Sequence, residues 1–350
     1  MIPFYSFEKI HDSIKHELIE KSAEIITSGN YVFGTSKFEE EFASYVGSKY
    51  CIAVSSGTSA LHLSLLALGI KPGDEVITVS HTFRATVAAI EYCGAIPVYI
   101  DVDKDTFTMD HTQLEDKISN KTKCILPVHL YGNMANMTEI MYIANKHNIP
   151  VLEDCSQAHG STLDKKHAGT FGSLGTFSFY PGKGLGALGD AGCIVTDNKE
   201  LYDYLCKARS WDDNEIGFNY RMSNIQAEFL RIKLRTFNKV LEEKRKIAEH
   251  YNSIFNYVQT KNVEHSYHIY PILCKNRNQI IQDLKNKIEL KVHYPLPVHR
   301  LSAYRKSYNL PVSDMIASHE ISLPIYPGVD YNKVIEIFKE YKNDNASSFL

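Results

Sequence analysis

The sequence lacks a long hydrophobic run and an excess of either charge. No stretch approaches the roughly 18 consecutive apolar residues that a membrane-spanning helix needs. The 38 lysines and arginines face 41 aspartates and glutamates, and the formal net charge of −3 argues against binding nucleic acid by displacing counterions. Charged residues follow Met1–Tyr5, where a signal peptide would have an apolar core. We therefore expect a cytoplasmic protein with no nucleic-acid or membrane partner.

Closely spaced cysteines are absent as well. The seven cysteines lie far apart and form no C-x-x-C pair, so neither a metal site nor a disulfide framework is expected. The sequence also contains no internal repeat and no low-complexity tract. With 350 residues, 44% hydrophobic and 23% charged, the composition is that of a globular protein of about two domains.

Short apolar runs alternate with helical patterns from about residue 50 onward. The runs are Cys51–Val54, Glu75–Val79, Ile96–Ile100, Cys124–Val128 and Pro150–Leu152. This alternation predicts an α/β fold in which helices cover both faces of a mostly parallel sheet.

The pattern also predicts how the chain divides into domains. We assign residues 1–222 to a large domain, which includes an amphipathic N-terminal helix over 8–28. A charged helical stretch predicts a connecting helix over 223–251. Residues 252–350 are then a smaller C-terminal α+β domain.

Small hydroxyl residues and a glycine follow the first apolar run, at Ser55-Ser56-Gly57-Thr58. Free N–H groups and the helix dipole at such a helix start bind anions, and glycine lets a phosphate approach the backbone. An ordinary N-cap is the alternative interpretation.

A carboxylate follows a later apolar strand, where Leu152-Glu153 is succeeded by Asp154, with Gln157 shortly after. Ligands of open parallel sheets bind at the carboxyl ends of the strands, so Asp154 is a candidate site residue. A turn or cap role is equally compatible with its position.

Glycines surround Lys183 in a turn between two strand-like runs. Residues 184–189 match G-x-G-x-x-G, but a strand (Cys193–Thr196) follows where a dinucleotide-binding motif requires a helix. This context argues against an NAD-dependent oxidoreductase. A solvated surface lysine is the ordinary alternative for a single lysine in such a turn. Together, however, a phosphate cradle, an acid and a lysine are the equipment of a pyridoxal phosphate (PLP) enzyme.

The chain resembles the DegT-type nucleotide-sugar aminotransferases, most of all those that act on dTDP-3-keto-6-deoxyhexoses. The resemblance implies PLP fold type I, the aspartate-aminotransferase-like fold. The stretches that carry it are Ser56–Leu61, Gly73–Ile77, His81–Thr86, Pro127–Gly132, Glu153–Gly160, Phe177–Gly189, Gly217–Met222, His293–His299 and Leu323–Pro327.

The resemblance also assigns roles to individual residues. It implies that Lys183 forms a Schiff base with PLP, that Asp154 pairs with the pyridinium nitrogen and that Gln157 hydrogen-bonds the ring hydroxyl. It implies a homodimer with shared sites as well, because one phosphate contact comes from the neighbouring subunit. The remaining implied contacts are Phe83 on the ring face, Gly57, Thr58 and Ser178 on the phosphate, and Asn219 from the partner.

The turn Pro181–Gly192 resembles family members that aminate C3, because small residues follow the lysine. This implies a dTDP-linked 3-keto-6-deoxyhexose, L-glutamate as donor, and O-antigen, lipopolysaccharide or antibiotic-sugar biosynthesis. A C4 aminotransferase and a UDP-linked 3-keto substrate remain alternatives. The sequence departs from the family at Gly184, where asparagine is usual, at Arg84, and in a short segment between 209 and 217.

Four side chains are candidate contacts to the sugar or the diphosphate, with a purely structural role equally open for the two histidines. They are Tyr180, His293, Tyr294 and His299. A sugar dehydratase of the same fold has histidine in place of the lysine, so Lys183 argues against it. The intact cofactor set likewise argues against a catalytically silent regulator or binding module.

Overall fold

The computed structural model describes residues 1–211, 217–255, 257–304 and 307–344. The helices are α1 (Phe7–His11), α2 (Lys15–Ser28), α3 (Ser36–Val46), α4 (Gly57–Ala67), α5 (Ala85–Tyr92), α6 (Leu114–Lys117), α7 (Met137–His147), α8 (Lys199–Ala208), α9 (Asn224–Leu234), α10 (Phe237–Asn252), α11 (Arg277–Leu284), α12 (Pro311–His319) and α13 (Tyr331–Asp344). The strands are β1 (Tyr50–Val54), β2 (Glu75–Val79), β3 (Ile96–Ile100), β4 (Thr122–Leu126), β5 (Leu152–Asp154), β6 (Thr162–Leu163), β7 (Lys166–His167), β8 (Leu174–Ser178), β9 (Gly192–Thr196), β10 (Val263–Glu264), β11 (Tyr270–Leu273) and β12 (Glu320–Leu323). Among these residues, none of the helices combines the length and the apolar character needed to cross a membrane.

Two groups of strands, in the orders β3-β2-β4 and β5-β8-β9-β1, build the central sheet. Parallel bridges from Ile125 to Val151 and from Val128 to Asp154 join β4 to β5. β2 is parallel to β3 and β4, and β5 is parallel to β8. β9 is antiparallel to both β1 and β8. The sheet therefore combines the predicted parallel strands with one reversed strand.

The helix α4 fixes the candidate phosphate cradle against this sheet. It packs against β8, β9, α5 and α8, and Leu61, Leu63 and Leu65 are all buried. Ser59, His62 and Ser64 are buried as well, so the helix lies inside the protein on every side. Its first turn is consequently held rigidly beside the end of β8.

The predicted connecting helix over 223–251 is wrong in one respect, because it is two helices, α9 and α10. The helical backbone breaks at Thr236, which has φ −109° and ψ 2°. α9 packs against α2 and α3, whereas α10 packs against α13, so the chain changes direction between two different surfaces. The predicted helix over 8–28 is likewise divided, by a 3₁₀ turn at Asp12–Ile14.

A second apolar core lies in the C-terminal part of the chain. The antiparallel pair β11–β12 and the helices α10, α11 and α13 contribute to it, through residues such as Ile272, Ile321 and Phe338. Ile2 forms a bridge with Ile288, and Tyr5 packs against the same core. The first residues thus contact the C-terminal unit, although the domain prediction placed them with the large domain.

Candidate active site

Asp154 ends β5 and is almost completely buried, with 3% of its surface exposed. One carboxylate oxygen, Oδ1, accepts the Ser156 N–H at 3.1 Å, and Oδ2 accepts the Thr86 hydroxyl at 2.8 Å. Since Thr86 donates to Asp154, its oxygen accepts the hydroxyl of Thr82 at 3.0 Å. These bonds fix the carboxylate in one orientation and leave further lone pairs for a ligand.

Lys183 lies in the tight turn that follows β8. Its N–H donates to the Tyr180 carbonyl at 2.8 Å, and a Cβ at Gly186 would fall 2.2 Å from the Pro181 carbonyl oxygen. Only glycine therefore allows the turn to close at that position. Burial lowers the pKa of Lys183 to about 8, and the charge of Asp154 opposes that shift. More of the amine is consequently neutral, and able to attack a carbonyl, than in an ordinary lysine.

The first turn of α4 forms a cradle for an anion. Ser56 and Ser59 make a capping box, in which each side chain accepts the backbone N–H of the other. The N–H groups of Gly57 and Thr58 have no acceptor among the residues that the structure describes. A Cβ at Gly57 would approach the Cβ of Ser178 to 2.6 Å, so the end of β8 lies directly against this turn. Free N–H groups, a helix dipole and a nearby hydroxyl fit a phosphate group.

Gln157 is held at both ends of its amide group. Its Oε1 accepts the N–H of Tyr131 at 2.7 Å, and its Nε2 donates to the Tyr294 hydroxyl at 3.0 Å. These two bonds decide which end of the amide is the donor. The Phe83 ring, 46% exposed, lies 5.8 Å from the Tyr294 ring. Tyr294 thus contacts two of the predicted cofactor residues, Gln157 through a hydrogen bond and Phe83 through its ring, and forms one group with them.

His293 and Tyr294 belong to the same group, although they come from the C-terminal part of the chain. Tyr131 connects His293 to this group, because it donates its N–H to Gln157 and its hydroxyl to the His293 carbonyl. Burial lowers the pKa of His293 to about 4, and the charge of Lys183 contributes to that lowering. Tyr180 directly precedes the Lys183 turn and is exposed. Asn219 is also exposed.

The structure places His299 in a separate network. Its ring is fully buried, Nδ1 lies 2.7 Å from the Ser80 hydroxyl, and its own N–H donates to the same oxygen at 3.0 Å. Its Nε2 lies 3.7 Å from an oxygen of Asp314. None of these partners belongs to the group around Lys183, so the contacts are those of a structural histidine.

Two positioning residues were not singled out from the sequence. Thr86 lies in a recognised stretch, and its place one helical turn after Phe83 could have indicated a hydroxyl near Asp154. Tyr131 has φ +61°, which is uncommon for a non-glycine residue, and no local pattern predicts it. Nothing in the sequence indicated that the backbone of Tyr131 would orient Gln157.

Comparisons with known proteins identify the family of the chain. The family model "DegT/DnrJ/EryC1/StrS aminotransferase family" matches residues 12–342. The chain is 37% identical to a dTDP-3-amino-3,6-dideoxy-alpha-D-galactopyranose transaminase of Aneurinibacillus thermoaerophilus, covering 97% of this chain and 99% of the relative. It is 38% identical to a GDP-perosamine synthase of Escherichia coli O157:H7, covering 89% and 90%.

A solved structure shows the same fold over almost the entire chain. The crystal structure of S. venezuelae DesV in complex with a ketimine intermediate matches with a TM-score of 0.93 and 32% identity, covering 98% of both chains. The match confirms the predicted α/β fold class, and the family confirms the transaminase activity and the cofactor. The chain belongs to the DegT/DnrJ/EryC1/StrS aminotransferase family and is a sugar aminotransferase that uses pyridoxal phosphate.

Proposed function

We propose that the protein transfers the amino group of L-glutamate to C3 of a dTDP-linked 3-keto-6-deoxyhexose. The observation that carries the position is the turn after β8, where Gly184 and Gly186 follow the lysine and no carboxylate stands beside it. The Aneurinibacillus relative, whose name specifies a dTDP-linked 3-amino sugar, supports the same assignment. The relative whose name specifies a GDP-linked product keeps the nucleotide open to test.

The chemistry proposed here needs a lysine and a carboxylate at fixed positions. Pyridoxal phosphate, when bound, supplies a ring that accepts electrons from the carbon that loses its proton. We assign to Lys183 the covalent attachment of the cofactor and, after its release, the movement of that proton. We assign to Asp154 the retention of a proton on the ring nitrogen, which keeps the ring electron-accepting.

The other cofactor residues are assigned to binding and orientation. The N–H groups of Gly57 and Thr58, with the hydroxyl of Ser178, are proposed to hold the phosphate, because they form the anion cradle at α4. Gln157 has its amide nitrogen oriented as a donor and is proposed to bind the ring hydroxyl. Phe83 is exposed, as a side chain that stacks on a ligand ring must be before that ligand binds.

The site is proposed to be completed by a second copy of the chain, which contributes Asn219. Three consecutive exposed apolar residues, Tyr31, Val32 and Phe33, support a homodimer. Asn224 donates its backbone N–H to the Tyr31 carbonyl, so this apolar patch is attached to the segment that carries Asn219. A two-fold axis through such a surface would complete both sites at once.

Mixing two inactive variants tests the shared site. Lys183→Ala and Asn219→Ala chains that exchange subunits should recover about one quarter of the native activity, because half of the dimers then contain one intact site. No recovery, with exchange verified by mass spectrometry, would place Asn219 outside the partner's site. Sedimentation of a fully active monomer would contradict the dimer itself.

The substrate is tested by supplying glutamate with 3-keto and 4-keto 6-deoxyhexoses linked to dTDP, UDP or GDP. We expect turnover of the dTDP-linked 3-keto sugar, with the new amine located at C3 by NMR. An amine formed only at C4 would overturn the proposed position. Preference for another nucleotide would overturn the proposed nucleotide but not the position.

A further inference from the structure

A buried hydrogen-bonded triad connects Glu320 to His293. Glu320 begins β12 and has no exposed surface. Its Oε2 accepts the backbone N–H of His293 at 2.7 Å, and its Oε1 is bonded to the hydroxyl of Ser322. The same hydroxyl lies 2.8 Å from Nδ1 of the His293 ring. The carboxyl group thus reaches the imidazole ring through one hydroxyl.

The rest of His293 is fixed as well. The hydroxyl of Tyr131 donates to the His293 carbonyl, and the Phe4 ring stacks on the imidazole with the centroids 5.7 Å apart. The other ring nitrogen, Nε2, has no hydrogen-bond partner among the described residues. Both nitrogens of His159 are fully buried and unpartnered, whereas Nε2 of His293 is not among such buried atoms. His293 therefore has one nitrogen committed to the triad and one available to a ligand.

Two arrangements of protons satisfy this triad. If Glu320 is ionised, it can only accept, so Ser322 donates to it and must accept from Nδ1–H of His293. The bare Nε2 is then a hydrogen-bond acceptor. If Glu320 is protonated, it donates to Ser322, whose hydroxyl donates to Nδ1, and the ring proton resides on Nε2. The ring is neutral in both cases, and only the position of its proton differs.

We propose that Glu320, acting through Ser322, determines which nitrogen of His293 carries the proton and hence whether His293 presents a donor or an acceptor at the Lys183 site. Glu320 and Ser322 are positioning residues in this arrangement, since neither reaches the site itself. The protonated carboxyl makes Nε2–H a donor, and the ionised carboxyl makes Nε2 an acceptor.

The electrostatic surroundings make both states accessible near neutral pH. Burial raises the pKa of Glu320 to about 8, while the Ser322 hydroxyl, the His293 N–H and the charge of Arg277 oppose the rise. Burial lowers the pKa of His293 to about 4, with contributions from Lys183 and Lys291, so its ring is neutral above pH 6.

Lys183, with a pKa of about 8, is the exception among the neighbouring groups, and under the proposed function its amine is bound to the cofactor in the holoenzyme. The other groups around the triad titrate outside this range. Around the pair, His268 is affected by the charge of His293, and its own pKa is lowered, chiefly by burial. The hydroxyls of Tyr131 and Tyr294 and the thiol of Cys274 feel the charge of Glu320, and burial raises the pKa of each. Glu320 is thus the group whose charge changes near pH 8 in the triad.

The consequence for catalysis depends on the proposed function. A nucleotide sugar has carbonyl and phosphate oxygens, which only accept hydrogen bonds, and hydroxyl groups, which also donate them. We assign Nε2 of His293 to an oxygen that only accepts, so the donor state of Nε2 is the one that binds the substrate. The sugar substrate should bind more weakly as the pH rises through about 8, because Glu320 then ionises and Nε2 loses its proton.

The tautomer can be measured without any assay of activity. We would label the holoenzyme with ¹⁵N-histidine, identify His293 by the signals lost in His293→Asn, and record its two ring nitrogens from pH 6 to 10. We expect a change from the Nε2–H to the Nδ1–H pattern near pH 8. A single tautomer across the whole range would overturn the proposal.

Two variants separate the carboxyl from the fold. Glu320→Gln keeps the shape of the side chain. Its amide oxygen can accept the His293 N–H while its amide nitrogen donates to the Ser322 hydroxyl, so the ring proton of His293 should stay on Nε2 at every pH. Ser322→Ala removes the connection, so the tautomer should no longer follow the pH. A switch that persists unchanged in either variant would show that Glu320 does not control His293.

Kinetics then connect the tautomer to the substrate. Between pH 7 and 9 the KM for the sugar nucleotide should rise roughly fivefold to tenfold in the native enzyme, about the value of one hydrogen bond. It should rise less than about twofold in Glu320→Gln. If the tautomer switches but no ketosugar is turned over, the proposed function fails while the triad stands. If turnover is normal without a switch, the triad fails alone.

Discussion

Four candidate cofactor residues, Asp154, Ser178, Gly57 and Thr58, lie at strand ends or at a helix start, whereas the candidate sugar residues His293 and Tyr294 lie on a segment without regular structure. Asp154 and Ser178 end two adjacent parallel strands, so the backbone ladder of the sheet fixes them relative to each other. His293 and Tyr294 are held by side-chain hydrogen bonds. Backbone pairing in the sheet thus fixes the proposed positions of Asp154 and Ser178, whereas the proposed sugar contacts depend on side-chain bonds that single substitutions can change.

Two neighbouring carboxylates on β5 differ in how many of their hydrogen bonds are used by the fold. Glu153 accepts the N–H groups of Gly169, Phe171 and Gly172 and pairs with His129 at 3.0 Å. Its acceptor capacity is therefore used to hold a loop. Asp154, on the opposite face of the strand, makes two bonds and keeps lone pairs open. Only Asp154 is free to act on a ligand.

Removal of Lys183 should have the largest effect on activity. Lys183→Ala should lower kcat on the order of 10⁴-fold or more, because the covalent attachment and the proton transfer depend on one amine. The cradle at Gly57 and Thr58 should still bind pyridoxal phosphate without a covalent bond. Borohydride reduction and peptide mapping of the native enzyme should label Lys183, and a label on another lysine would contradict the assignment.

Substitution of Asp154 should have the next largest effect. Asp154→Asn retains the shape and the bond from Thr86 but cannot hold a proton on the ring nitrogen, so we expect kcat to fall roughly 10²- to 10³-fold. Cofactor content, measured by absorbance, should remain near that of the native enzyme. The matched control is Glu153→Gln, which should lower the melting temperature more clearly than it lowers kcat. Near-normal turnover in Asp154→Asn would exclude the proposed role.

The parts of this site that the sequence predicted are the local ones. An apolar strand followed by an acid, and a lysine among glycines, are visible within ten residues, so Asp154 and Lys183 could be proposed without a structure. The bond from Tyr131 to Gln157 and the triad of Glu320 join residues 26 and 27 positions apart, and tertiary packing alone decides them. The reversal of β9 depends on its pairing with β1, about 140 residues away, which no local pattern reveals.

Removing the hydroxyl that orients Asp154 should have a moderate effect. Thr86→Val deletes the 2.8 Å bond to Oδ2 with little change of volume, so we expect kcat to fall roughly tenfold, the value of one hydrogen bond to a charged group. Thr86→Ser, which restores the hydroxyl, should recover most of the loss. A defect in Thr86→Ser as large as that in Thr86→Val would show that the γ-methyl group is needed in addition to the hydroxyl.

The smallest effect on activity is expected from His299, in spite of its place in the recognised C-terminal stretch. His299→Ala removes a buried ring and its bond to Ser80, so the free energy of unfolding should fall by about 1–3 kcal/mol. Because its ring contacts lie outside the group around Lys183, kcat/KM for the sugar should stay within about twofold of the native value. Denaturant unfolding and steady-state kinetics of the same preparation separate the two readouts. A KM raised tenfold at unchanged stability would instead make His299 a substrate contact and extend the sugar site to the Ser80 end of β2.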